Sequence, residues 1–317
     1  MLAPNTYAAL KFMSHHHHGH GHCHHQAPTD GFNRAFMISI VANLGYTLIQ
    51  FFYAYWAHST SLLADAGHNL GDVLGLAMAW IASLLLQKQA SARYSYGFKK
   101  TTILASILNA LILIFTCGLI IREAIEKFIH PTEIAALAVA LVAFIGILVN
   151  AGTALLFMRG RKSDLNIKGA FLHLAFDALV SLGVVIAAGL IYWTGWQWID
   201  PVVGLVIAAV ILRGTWGLLR DSVNLVMDGV PRNIDSLAVK HYLENLPGVT
   251  ELHDLHIWGL STQENALTAH LIMPKNPLTD AERRTLNQAL KQQFNIHHTT
   301  IQIEHGKEVV CDAHQHC

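Results

Sequence analysis

The sequence predicts an α-helical membrane protein in which six spans precede a small α+β domain, and three observations lead there. The 317 residues are 53% hydrophobic but only 13% charged, about half the charged share of a soluble globular chain. The apolar residues fall into six runs, each near the ~20 residues that cross a hydrocarbon core. Beyond residue 229 the pattern changes to that of a compact soluble unit.

Loops and turn residues bound the runs at 34–57, 62–87, 101–122, 134–158, 168–193 and 198–220. An even number of spans puts both termini on one side, and the basic residues choose which. Arg34 precedes the first run, Lys88, Arg93, Lys99 and Lys100 fill the link after the second, and Arg159, Arg161 and Lys162 follow the fourth. The links at 57–61 and 194–198 carry none, while Arg122 and Lys127 break the pattern in the company of Glu123 and Glu126. The positive-inside rule then places both termini in the cytoplasm. Lys11 and a histidine run stand where a cleavable signal would need its apolar core, so the first span is expected to direct insertion. Net charge is zero with histidine neutral, which leaves no basic footprint for nucleic acid.

Histidine is the compositional outlier, with 21 residues against 21 for Lys plus Arg together. Two histidines sit inside spans, in His68-Asn-Leu-Gly-Asp72 and His173-Leu-Ala-Phe-Asp177. Residues at i and i+4 stack on one helix face, so each word offers a nitrogen and a carboxylate to the same point. Two such helices facing each other would complete a tetrahedral His2Asp2 site suited to Zn2+. The plainer alternative is that each pair hydrogen-bonds to itself. An ionisable side chain at mid-bilayer costs roughly 2.5–3.5 kcal/mol on insertion scales, and four at matched spacing argue for use. Neither a Gly-x4-Gly-Lys-Ser/Thr phosphate loop nor His-Glu-x-x-His occurs, which removes the sequence basis for an ATP-driven pump or a zinc protease. A passive metal channel or a membrane-bound metal sensor would share these features.

In the terminal region Ile234, Leu237, Ala238, Leu243 and Leu246 recur at helical spacing, and the run stops at Pro247-Gly248. Glu251 to Leu260 and Ala266 to Met273 read as strands. Thr279-Asp-Ala-Glu282 is a capping box ahead of a stripe of Leu286, Leu290 and Phe294, and Thr299 to Glu304 reads as a last strand. The order αββαβ suffices for a compact two-layer domain.

The paired words, the six spans, His253-Asp-Leu-His-Ile-Trp258 and Thr300-Ile-Gln-Ile-Glu304 together resemble the cation diffusion facilitators, proton-coupled zinc exporters. The resemblance implies a six-helix membrane domain at 33–222 and a ferredoxin-like, metallochaperone-like cytoplasmic domain at 229–306, working as a homodimer in the lipid bilayer. Residues 1–32 would be a His-rich arm and 307–317 a Cys/His-rich tail. Zn2+ would leave in exchange for H+ at His68, Asp72, His173 and Asp177, making the chain a secondary transporter and no enzyme. Imidazole ligands also accept Cd2+ while disfavouring Mg2+ and Mn2+.

The same resemblance selects His253, His270, His297 and Glu304 as metal ligands of the terminal domain. It also carries over His22, Cys23 and His24 as an arm reaching the neighbouring subunit, with Cys311 and Cys317 in the tail and His314 or His316 open as a further ligand. Period-two alternation puts His253 and His256 on opposite faces of their strand. An expression tag is the plainer reading of His15 to His18, against which Gly19, Gly21 and Cys23 interrupt the run. In a reducing cytoplasm metal is the expected partner of Cys23, Cys311 and Cys317, while Cys117 is an apolar filler. By the same resemblance Lys100 and Asp228 match positions where the family places a charge interlock at the membrane boundary, with Lys99 and Asp221 as substitutes and two ordinary solvated charges as the plainer reading. Asp65 stands one turn before His68, placed to tune the site. Asn43, Asn109 and Asn150 read as packing residues, and Asp200 as the start of the sixth helix. The short link at 159–164 lacks a His-rich insertion, favouring a bacterial inner membrane.

Overall fold

A computed structural model gives the fold and describes residues 30–86, 88–157, 165–275 and 277–306. Six long helices come first: α1 (Asp30–Trp56), α2 (Thr60–Leu86), α3 (Thr101–Ile129), α4 (Ala136–Phe157), α5 (Leu165–Thr194) and α6 (Ile199–Val226). By length and composition α3 to α6 can each cross a membrane. Helices α1 and α2 match them in length at 27 residues each, and α2 carries Asp65, His68, Asn69 and Asp72 within its run.

Two helices outrun the expected ends, α3 to Ile129 rather than 122 and α6 to Val226 rather than 220. Charges at Arg122 and Arg220 mark where the apolar run stops, but a charge does not stop backbone hydrogen bonding. Arg122 pairs with Glu126 at 3.2 Å one turn on, an i,i+4 contact that favours continued helix.

Helix α2 packs closely on α3 because one of its faces has no side chains. A Cβ on Gly67 would lie 2.7 Å from Thr116 Cγ2, one on Gly71 2.1 Å from Leu113 Cδ2, and one on Gly75 2.9 Å from Asn109 Nδ2. Small residues at four-residue spacing let membrane helices approach in this way. The stripe lies one residue before His68 and Asp72, so packing α2 on α3 fixes where those side chains point.

At one end of the bundle Asp200 does more than open α6. Its buried carboxylate accepts from the backbone N–H groups of Thr60 (2.5 Å) and Ser61 (3.1 Å) and from the hydroxyls of Ser59 (2.6 Å) and Ser61 (2.5 Å). It therefore caps α2 from a different helix and meets the orphan donors that any helix start exposes. Lys127 Nζ lies 3.5 Å from the same carboxylate and donates to the His58 carbonyl at 2.5 Å. That pairing accounts for a lysine on the side the loop charges leave neutral.

The terminal domain follows the predicted order: α7 (Ser236–Glu244), β1 (Glu251–Gly259), β2 (Asn265–Ile272), α8 (Asp280–Phe294) and β3 (Ile296–Glu304). The sheet order is β1-β2-β3, with β1 antiparallel and β3 parallel to β2. Val239 and Leu243 of α7 and Leu286 and Leu290 of α8 bury against Leu267 and Leu271 of β2. The Thr279–Glu282 capping box forms as expected, and its hydrogen bonds hold the Glu282 carboxyl below the usual range.

One expectation fails. β1 carries a bulge between His253 and His256, which pair with His270 and Thr268. Those partners are two residues apart on β2 and share a face, so His253 and His256 share one too. The extra residue is Asp254, whose φ of 52° lies in the left-handed region. The two domains meet where Lys99 Nζ contacts Glu264 at 2.5 Å, the Thr262 N–H donates to Thr102 Oγ1 at 3.1 Å, and Lys100 pairs with Asp228 at 2.7 Å. Asp221 instead pairs with Arg232 at 2.8 Å.

Candidate metal sites

The two i,i+4 pairs of α2 and α5 face each other. His68 Nε2 lies 3.3 Å from Asp177 Oδ1, and His173 Nε2 lies 3.4 Å from Asp72 Oδ2. Within each helix the separations are longer, 3.7 Å for His68–Asp72 and for His173–Asp177. Each histidine thus lies closer to the other helix's aspartate than to the one on its own helix. The ligand atoms of His68, Asp72 and Asp177 fall within 4.8 Å of one another. His173 is not in that close group and lies on the more open side, its side chain 44% exposed against 4% for Asp177.

Behind these ligands stands a buried polar chain. Asn69 Nδ2 donates to Gln50 Oε1 (2.8 Å), Gln50 Nε2 donates to Asp65 Oδ2 (2.7 Å), and Ser181 Oγ donates to the same oxygen (2.9 Å). Asp65, Gln50 and Ser181 are fully buried. Asn69 adjoins His68, and Ser181 lies one turn from Asp177, so the chain braces both ligand-bearing helices. Asp65 was legible as a neighbour of His68. Gln50 and Ser181 were not singled out, although a glutamine inside an apolar run is itself a signal. Of the asparagines, Asn109 packs at the α2–α3 contact, and Asn150 is fully buried. Cys117 is buried and free.

A second cluster lies on the sheet. Glu304 Oε2 is 3.0 Å from His253 Nε2, and Glu304 Oε1 is 3.1 Å from His270 Nδ1. Pairing of β1 with β2 brings the histidines opposite each other, and parallel β3 supplies the acid from a strand end. Gln302 Nε2 donates to Glu304 Oε1 at 3.0 Å, fixing the carboxylate. His297 is not brought to this cluster within one chain. It is exposed at the start of β3, seven residues from Glu304 and hence about 23 Å away at 3.3 Å per strand residue. His22, Cys23, His24, Cys311, His314 and Cys317 lie outside the described residues.

Comparison with known proteins agrees with this architecture. Residues 36–227 match the family described as "Cation efflux transmembrane domain", and residues 231–306 match "Cation efflux protein, cytoplasmic domain". The chain is 35% identical over 290 residues to the "Cadmium, cobalt and zinc/H(+)-K(+) antiporter" of Bacillus velezensis, covering 88% of this chain and 92% of that protein. It is 33% identical over 288 residues to the "Metal cation efflux system protein CzcD" of Cupriavidus metallidurans, covering 90% and 91%. Against the "Zinc transporter ZitB" of Escherichia coli the identity is 32% over 281 residues, covering 88% and 89%. With one family model over more than half of the chain and relatives 32–35% identical along most of both lengths, this protein belongs to the cation efflux family of membrane transporters, the cation diffusion facilitators.

Proposed function

We propose that this transporter exports Zn2+, and Cd2+ as a second substrate, from the cytoplasm in exchange for protons, by alternating access at His68, Asp72, His173 and Asp177. The observation that carries the reading is the cross-helix approach of each histidine to the other helix's aspartate, at 3.3 and 3.4 Å. Two imidazoles and two carboxylates match the ligand number and softness that Zn2+ takes in tetrahedral sites. The names of the relatives, which include zinc, cadmium and cobalt, support the same ion class.

Proton coupling follows from the ligand charge. Two carboxylates and two neutral imidazoles carry two negative charges, which Zn2+ cancels. Ligands must be deprotonated to bind metal, so protons compete for the same atoms. A site that opens alternately to the two sides then exchanges outgoing metal for incoming protons without a nucleotide. The basic loops support a reading in which both termini lie in the cytoplasm of a bacterial cell and the protein works in the inner membrane as a homodimer. The membrane domain occupies 33–222 and the cytoplasmic domain 229–306.

His253, His270 and Glu304 form a separate zinc site in the cytoplasmic domain, which the exposed His297 of the same chain does not reach. The arm around His22, Cys23 and His24 and the tail at Cys311, His314 and Cys317 add ligands between subunits.

Reconstitution into proteoliposomes decides the central point. Zinc uptake into the lumen should drive protons out and alkalinise it in proportion to metal moved, and this flux should vanish in Asp177→Ala. Zinc flux that ignores an imposed pH gradient would establish a passive channel instead. Zinc binding without flux would establish a sensor.

A further inference from the structure

We infer that Asp254 is a positioning residue of the cytoplasmic metal site, holding His270 in the tautomer that presents its Nδ1 to the metal. The inference rests on the proposal that His253, His270 and Glu304 bind zinc, and it assigns a role to a residue outside that ligand set. His270 has a carboxylate at each ring nitrogen: Glu304 Oε1 lies 3.1 Å from Nδ1, and Asp254 Oδ2 lies 3.4 Å from Nε2. A neutral imidazole carries one N–H and one lone pair. Drawing the proton to Nε2, toward Asp254, leaves the Nδ1 lone pair aimed at Glu304 and the metal position. Metal-bound histidines generally donate their second ring nitrogen to a carboxylate or carbonyl in this manner, which fixes ring orientation and raises ligand basicity.

The backbone is shaped for the contact. In a regular strand Asp254 would alternate to the face opposite His253, away from His270. The bulge between His253 and His256 breaks that alternation, and Asp254 takes φ of 52° within it. Left-handed backbone is uncommon outside glycine, though Asp and Asn tolerate it best. Glycine would relieve the strain, whereas aspartate retains it and gains a carboxylate beside His270. On its other oxygen Asp254 meets His256 Nε2 at 2.9 Å, so His256 braces the acid from the exposed side. The resulting order, His253–Glu304–His270–Asp254–His256, alternates imidazole and carboxylate across the sheet face. Glu304 faces the metal ligands and is 5% exposed, while His256 faces solvent at 59%. Burial thus separates the ligand end of the chain from its supporting end.

Zinc titration of the full-length dimer against a chromophoric chelator tests this, with His270→Ala marking which binding component belongs to the domain site. Asp254→Gly removes the carboxylate and relieves the backbone, and should weaken that component about 10–100-fold with no fall in the metal-free melting temperature. Asp254→Asn keeps both the left-handed backbone and an acceptor oxygen, and should recover part of the lost affinity. Co2+ bound in the same component should show an altered ligand-field absorption in the glycine variant, partly restored in the asparagine variant. Wild-type affinity and an unchanged Co2+ spectrum in Asp254→Gly would overturn the assignment. Equal losses in both variants with lowered metal-free melting would also overturn it, reducing Asp254 to a bulge residue. If His270→Ala removes no zinc component, the domain site falls first and Asp254 has no ligand to position.

Discussion

The membrane cluster and the sheet cluster use the same ligand types and differ in how they are held. In the helical bundle the four side chains come from two helices, approach across the gap at 3.3 and 3.4 Å, and leave His173 open on one side. On the sheet two strands fix the histidines opposite each other, and one carboxylate spans both at 3.0 and 3.1 Å. Helices can shift as bodies, and a site split between them is assembled or dissolved by that shift. Hydrogen-bonded strands cannot separate without breaking the ladder. Under the proposed function, the first arrangement suits an ion that must leave and the second one that stays.

The largest expected effect falls on the membrane cluster. Asp72→Ala or Asp177→Ala should reduce zinc export to background while leaving a folded protein by size-exclusion chromatography. Near-normal export in either variant would mean that the split site is not the transport site. Next comes the packing that aims α2. Gly71→Leu forces a side chain into the position held by Leu113 and should destabilise the bundle by about 1–3 kcal/mol, read as a lowered melting temperature with export reduced.

A subtler change sharpens the comparison. His68→Asp hardens the membrane ligand set and should shift preference from zinc toward manganese in competition uptake. An unchanged metal ranking would remove His68 from the ligands. In the sheet cluster Glu304→Ala should abolish zinc retention by the cytoplasmic domain while export persists at a reduced rate. Loss of all export would mean that the two clusters do not divide passing from resident metal.

The smallest effect concerns the junction of the two regions. Lys100 and Asp228 pair at 2.7 Å but are 47% and 57% exposed, and exposed pairs contribute only about 0.2–1 kcal/mol. A double-mutant cycle on transport should show coupling of that order, and strict additivity would make them two solvated charges. The neighbouring Lys99 does not stand in for Lys100, since it is engaged with Glu264.

Much of this was legible without coordinates because it rests on local periodicity. Apolar runs near 20 residues, ligands one helical turn apart and the Thr279–Glu282 capping box depend on neighbours within a few positions. The order αββαβ came from alternation and turn residues, and the helix ends that ran past 122 and 220 were missed because polarity marks a boundary of solvent rather than of helix. The Gly67, Gly71, Gly75 stripe was present as a spacing, but its partner on α3 was not.

What the sequence by itself determined is therefore which residues share a face: His68 with Asp72, His173 with Asp177, and the six runs that carry them. Only the tertiary structure decided which faces meet. It set Asp200 of α6 as the cap of α2, joined Gln50, Asp65 and Ser181 behind the His68–Asp177 cluster, and kept His297 apart from His253, His270 and Glu304. It also turned Asp254 onto the face of its neighbouring histidine through a single extra residue in β1. Periodicity fixes direction within one element, whereas contacts between elements depend on packing and register, which no short stretch of chain encodes alone.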